Sequence, residues 1–296
     1  MNNPSRSVIA LLVLCFAAPL FAQSPLPNEQ TTRIDALIKS EMTQNKIPGI
    51  SLAVVSGDQL RYSKGFGMAD LENSVVATPA TVYRLGSLSK TITATAVMQL
   101  AESGKLDLDA PVQKYCAVFP EKQWPINTRQ LLAHLGGVRD YNNQKFLEEY
   151  FSTRHYNSVS ESLDIFKNDP LLHEPGTKYS YSTYGYDLLG CAIEGASGMK
   201  YEDYIREKIF KPASMSQTGV DDVSRIIVNR ARGYHRAQNG DLSNTGLVDT
   251  SNKIPAGGLV STVEDLARFA VALRTAKLLA NATLVEKWTL QKTSAG

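Results

Sequence analysis

The sequence predicts an α/β (α+β) protein, an antiparallel sheet flanked by helices with a mostly helical part inserted, on three observations. An amphipathic helical run is followed at once by two β-rich runs on either side of a two-residue turn. The middle of the chain then carries helix-spaced apolar residues broken by Gly and Pro turns. A second amphipathic helix, with its own start signal, comes back near the end. The 296 residues are 43% apolar and 20% charged with a net charge of +2, which describes an ordinary globular protein of one or two domains. The basic residues form no stripe interleaved with aromatics, so no nucleic-acid partner is implied.

Residues 1–22 read as a signal peptide: Arg6 supplies the positive start, "VIALLVLCFAAPLFA" the apolar stretch, and Ala22 a small residue for cleavage before Gln23. The mature protein is therefore expected to be exported, periplasmic or secreted. The apolar run is short and interrupted by Pro19, which argues against a membrane span. Leu14 before Cys15 argues against lipid attachment. The remaining 23–296 read as one domain, with an α/β part over about 27–103 and 256–296 and a helical part over about 104–255.

Within it, "EQTTRIDALIKSEMTQNK" predicts a helix with Ile34, Leu37, Ile38 and Met42 on one face, stopped by Pro48 and Gly49. "ISLAVVS" and "QLRYSKGFG" around Gly57-Asp58 predict a hairpin. Helices follow at "LSKTITATAVMQLAES", "TRQLLAHL", "YGYDLLGCAIEGA" and "YEDYIREKIF", separated by Gly-containing turns. "STVEDLARFAVALRTAKLL" is the late helix, with Ser261 or Thr262 as N-cap and Glu264 in its first turn, and "NATLVEKWTLQ" adds a short one. Cys116 and Cys191 remain after cleavage. Two buried thiols are the simpler expectation, and one disulfide in an oxidising compartment the alternative.

Chemistry enters at "YRLGSLSKTITATAVMQL". A serine hydroxyl needs a base to become a nucleophile, and Ser87 and Lys90, at i and i+3 of a helix start, share a face. The extended "TVYRL", then Gly86, then a helix is a setting that exposes a serine and turns its backbone N–H toward a developing oxyanion. The other Ser-x-x-Lys, Ser197/Lys200, falls between Gly195 and Gly198, which read as helix-ending residues, and is expected to be a C-cap and turn. In "KYSYSTYGYDLLG", Tyr181 stands just ahead of a helix. Held near a lysine ammonium, a phenol can pass protons to and from a serine oxygen. No Gly-x-Ser-x-Gly elbow exists, His173-Glu174 is followed by Pro rather than by a zinc-binding spacing, and no Gly-rich loop precedes a Lys-Ser/Thr pair. No metal or organic cofactor is indicated.

These motifs, with "IPGISLAVV", "GKLDLDAPVQKY", "WPINTRQLLAHLGGVRDY", "NRARGYH" and "AGGLVSTVEDLARF" in the same order, resemble the serine β-lactamase and penicillin-binding protein superfamily, in its class C-like branch. The resemblance implies a β-lactamase/transpeptidase-like fold and a serine hydrolase that works through an acyl-enzyme on amide, peptide or ester bonds. Ser87 matches the nucleophile, Lys90 and Tyr181 the proton-transfer groups, and His134 a structural, hydrogen-bonded position.

Two departures qualify the match. The family triplet is Tyr-x-Asn, whose carboxamide can both donate and accept hydrogen bonds to the lysine and to a substrate amide. Thr183 stands there instead, a substrate-binding position with no amide plane, which favours peptidase or esterase work over β-lactam hydrolysis. The third motif, Lys or His, then Ser or Thr, then Gly on a closing strand, does not occur. Lys292-Thr293-Ser294 imitates its start without the Gly. The closing C-terminal strands are therefore expected to be missing. An uncovered strand edge would favour association into an oligomer. A catalytically weak or inactive binding and assembly module on the same scaffold is the competing reading.

Overall fold

The computed structural model describes residues 26–294, so the signal-peptide segment lies outside the described residues. Helix α1 (Asn28–Asn45) leads into β1 (Gly49–Ser56) and β2 (Gln59–Asp70), which pair antiparallel with Ser56 opposite Gln59. The predicted hairpin is thus observed, turning at Gly57, whose φ of 64° is a left-handed conformation glycine adopts without strain. Strand β3 (Val75–Val76) adds to β2, giving the order β1-β2-β3.

The α1 face needs one correction. Ile34, Ile38 and Met42 are half-buried, but Leu37 is 60% exposed. At 100° per residue, Ile34, Ile38, Met42 and Asp35 span about 0–100° of the helix surface, while Leu37 lies about 60° outside that stripe. Asp35 fixes the orientation, because its carboxylate is bonded by Tyr62 and Lys64 of β2.

Strand β4 (Tyr83–Arg84) runs into a single 3₁₀ turn, Gly86–Leu88, and then α2 (Ser89–Glu102). Helix α3 (Thr128–Leu132) starts at a capping box, in which Asn127 accepts from the Gln130 N–H and the Gln130 side chain accepts from the Asn127 N–H. Short helices α4 (Phe146–Tyr150) and α5 (Val159–Ser162) precede α6 (Thr183–Ser197), which ends at Gly198 with φ 70°. Helix α7 (Tyr201–Ile205), a wider turn over Arg206–Phe210 and α8 (Lys211–Ala213) form one continuous run. Then come β5 (Gly219–Val220), β6 (Tyr234–Arg236), β7 (Leu242–Asn244), α9 (Ile254–Gly257), β8 (Leu259–Ser261), α10 (Val263–Arg274) and α11 (Asn281–Trp288).

Strand β8 lies between β4 and β5, so the strand that precedes Ser87 is pinned by a segment far along the chain: Tyr83 faces Ser261 and Arg84 faces Val260. Three strands of two or three residues, β5, β6 and β7, fall inside the span read as helical. Strands this short leave no alternation to read. Helix α10 is capped as expected, with Thr262 accepting from the Asp265 N–H at 3.2 Å.

The core sits between α2 and α6. Ile92, Ala96, Val97 and Leu100 of α2 meet Leu188, Leu189, Ala192 and Ile193 of α6, all at most 1% exposed. The cysteines correct the simpler expectation: Cys116 and Cys191 form a disulfide with Cα atoms 5.5 Å apart. Gly195 lets this happen, because a Cβ there would run into the Tyr115 carbonyl and hold the Cys116 turn off the helix.

Candidate active site

Ser87 occupies the 3₁₀ turn at the start of α2, and Gly86 before it takes φ 51°, a conformation costly for any other residue. The Ser87 side chain is exposed, whereas Ser89 and Lys90 are buried in the helix that carries it. The Tyr181 hydroxyl donates to Ser87 Oγ at 2.8 Å, and Lys90 Nζ lies 3.4 Å from the same oxygen while donating to the Ala256 carbonyl at 2.8 Å. The Lys90 ammonium also sits 5.0 Å from the centre of the Tyr181 ring. The three residues named from the sequence are therefore gathered around one oxygen. The Ala256 carbonyl of α9 aims the lysine.

Tyr181 is placed from behind by His134, whose ring centre lies 4.4 Å from its own. His134 has φ 57° and ends α3, and its Nδ1 accepts the Ser182 N–H at 3.2 Å. Burial and the nearby Lys90 charge push its pKa down to about 4, so it is neutral at pH 7 and can accept. It is structural, as expected. Ser182 caps α6 by accepting from the Gly185 N–H and donates to the Arg139 carbonyl. Arg139 in turn grips Glu149 with both terminal nitrogens, at 2.9 and 3.1 Å.

Thr183 lines the same cleft, a cavity of about 610 Å³ that also takes in Ser87, Lys90, Tyr181, Asp140 and Ala256. Its N–H donates to Asp140 Oδ1 at 3.0 Å, and its side chain has no carboxamide to present to the cleft. Lys292 and Thr293 line a different cavity, of about 640 Å³, which borders Lys90 and His134 but neither Ser87 nor Tyr181. Ser197 bonds the Met199 N–H beyond the end of α6, far along the helix from Thr183, which confirms the turn expected there.

The sequence reading missed three charged groups at this site. Asp187 of α6 is fully buried, and burial drives its carboxyl well above the ordinary range against the opposing pull of Lys90 and Lys253. Lys253 and Arg84 line the cleft itself. Lys253 stands three residues before Ala256, the acceptor of Lys90, but no spacing rule marks it, since α9 is only four residues long.

The beta-lactamase family profile matches residues 34–295, almost the whole described chain. The chain belongs to the beta-lactamase family. It is 34% identical to the "Serine beta-lactamase-like protein LACTB, mitochondrial" of Homo sapiens, an alignment that covers 86% of this chain and 60% of that protein. It is 30% identical to "Protein flp" of Staphylococcus aureus (strain N315), over 71% of this chain and 42% of that one. The chain thus spans less than two thirds of these curated relatives. Among solved structures, an octameric penicillin-binding protein homologue from Pyrococcus abyssi superposes with a TM-score of 0.74 at 29% identity, covering 86% of this chain and 59% of the other. A D-amino acid amidase from Ochrobactrum anthropi SV3 gives a TM-score of 0.77 at 27% identity, covering 88% and 75%. This family of serine hydrolases fixes the fold expected from the sequence.

Proposed function

We propose that this beta-lactamase-family chain is an amidase, peptidase or esterase that works through an acyl-enzyme on Ser87. The observation that carries the reading is the single exposed oxygen, Ser87 Oγ, shared by Tyr181 at 2.8 Å and Lys90 at 3.4 Å within one cleft. Ser87 Oγ bonds to the substrate carbonyl carbon and its proton passes into the Tyr181–Lys90 pair. When the tetrahedral species collapses, the C–N or C–O bond breaks and the leaving nitrogen or oxygen takes that proton. A water then attacks the ester on Ser87, and the same pair returns a proton to Oγ. For the pair to accept the serine proton, one of its two members must enter the step unprotonated, and the Lys90 nitrogen 5.0 Å from the Tyr181 ring centre keeps both beside the same oxygen.

Amide or ester work is favoured over β-lactam hydrolysis by Thr183, whose side chain lacks the carboxamide that would meet a β-lactam amide and whose N–H is already given to Asp140. The similarity to a D-amino acid amidase points the same way. The same reading has the enzyme exported after cleavage at Ala22. The test is to compare kcat/KM for p-nitrophenyl esters and D-amino acid amides with that for a penicillin and a cephalosporin. The esters or amides are expected to be turned over faster, and a clear win for the cephalosporin would overturn the preference.

A further inference from the structure

The cleft holds a second lysine that the acyl-transfer chemistry does not use. Lys253 is 7% exposed, yet it lines the same cavity as Ser87. Its Nζ donates to the Tyr150 carbonyl at 2.6 Å and lies 4.7 and 5.2 Å from the ring centres of Tyr150 and Tyr141. An ammonium has three N–H donors. Among the described residues one of them has an oxygen partner, and no carboxylate lies within 4.0 Å. Burying an ammonium without a partner anion is costly, and a fold that keeps one at a cleft wall leaves a socket for an anion.

Every element packed around Lys253 contributes a charge or a ring. Asp187 of α6 and Asp140 support the ammonium, Arg84 of β4 and Lys90 of α2 oppose it, and Tyr141 and Tyr150 enclose it. Asp187 is fully buried and none of its oxygens has a hydrogen-bond partner among the described residues. It makes no ion pair with Lys253 within 4.0 Å, and so leaves the lysine N–H groups to the cavity. Arg84, also at the cleft, is already held by Asp221 at 2.7 Å and by the Val248 carbonyl at 3.0 Å. Lys253 is the cleft cation left to meet a ligand besides Lys90. Tyr150 and Phe151, 42% and 41% exposed, give the same wall an apolar rim.

We propose that Lys253 is a specificity residue that pairs with a carboxylate on the acyl part of the substrate, whose carbon chain lies along Tyr150 and Phe151. The acyl part is chosen because it is the part that becomes bonded to Ser87 Oγ, in the same cavity that Lys253 lines. The inference rests on the acyl-enzyme reading and deepens it. A charge-assisted hydrogen bond to a group in a partly dry cleft is worth about ten- to a hundredfold in specificity.

The test uses two esters of equal acyl chain length, p-nitrophenyl hexanoate and the p-nitrophenyl monoester of adipic acid, with the full chain, Lys253→Met and Lys253→Arg. The expected result is that Lys253→Met lowers the adipate-to-hexanoate ratio of kcat/KM about tenfold or more, mainly through KM, while Lys253→Arg restores part of the preference. A wild-type ratio that Lys253→Met leaves unchanged, or an equal loss on both esters with folding intact by circular dichroism, overturns the proposal, since a merely structural lysine moves both rates together. Burial pushes the Lys253 pKa down to about 8, so the preference should decline as pH rises through that value, and a preference flat to pH 10 counts against it. If neither ester is turned over, monomethyl adipate and methyl hexanoate are compared for binding to Ser87→Ala by ligand-observed NMR. Adipate binding that Lys253→Met removes then supports the socket while the hydrolase reading fails, and absence of adipate binding overturns the socket itself.

Discussion

The α1–β1–β2 layer and the α2–α6 pair are both amphipathic by sequence, yet they are held very differently. Helix α1 runs for 18 residues and fully buries none of them, and β1 has no buried residue. Helix α6 buries an unbroken run from Thr183 to Ile193, and α2 buries Ile92, Ala96, Val97 and Leu100 against it. A half-covered layer contributes less stability per residue than a helix pair whose facing side chains are fully buried. The Ser87 seat is built on the second kind of region. Ser87 sits in the turn that opens α2, Tyr181 stands just before the N-cap of α6, and the carbonyl that aims Lys90 comes from α9, packed on both helices.

The largest expected effect lies in that pair. Leu189→Ala, at a fully buried position of α6, should cost about 2–5 kcal/mol of stability through lost burial and an unfilled cavity. Urea denaturation followed by circular dichroism would measure it, and a loss under 1 kcal/mol would mean the pair is looser than its burial implies.

Next come the proton-transfer groups. Tyr181→Phe and Lys90→Ala should each reduce kcat about 10²-fold or more, and the double variant should lose little beyond either single change, because both act on one proton. Full turnover by Tyr181→Phe would return Tyr181 to a packing role.

A smaller effect is expected from acid. His134 has its folded pKa depressed to about 4 from an ordinary 6.5, so between these values the unfolded chain binds the extra proton. Its contribution to stability is complete above about pH 6.5 and is lost as pH falls toward 4. The urea midpoint should therefore drop over that window, and less so in His134→Gln; equal acid sensitivity in the two proteins would show that the histidine is not the cause. The smallest effect belongs to the outer layer: Leu37→Ala, at a position 60% exposed, should stay within about 0.5 kcal/mol of the parent. A large loss there would erase the contrast between the two regions.

Sequence reading reached the parts of this site that local rules mark. Gly86 and the helix start marked Ser87, i to i+3 spacing reached Lys90, and the family triplet reached Tyr181. The helices of three or more turns and the β1–β2 hairpin were legible because apolar spacing and turn residues speak over many positions. What escaped depends on contacts distant in sequence. Leu37 was placed on the inner face by periodicity, but Asp35 sets the helix rotation through Tyr62 and Lys64. The Cys116–Cys191 pairing depends on Gly195 letting two segments 75 residues apart approach. Asp187 lies inside a predicted helix and Lys253 outside any, and only folding brings the two near Lys90.

The account's central claim is that Ser87 is the nucleophile, and active-site labelling tests it most directly. A fluorophosphonate probe, followed by proteolysis and mass mapping, should place one adduct on the peptide containing Ser87. The adduct should disappear in Ser87→Ala and persist in Ser197→Ala. Labelling that survives Ser87→Ala, or a folded protein that takes no label at Ser87, would contradict the claim and leave the scaffold as a binding module.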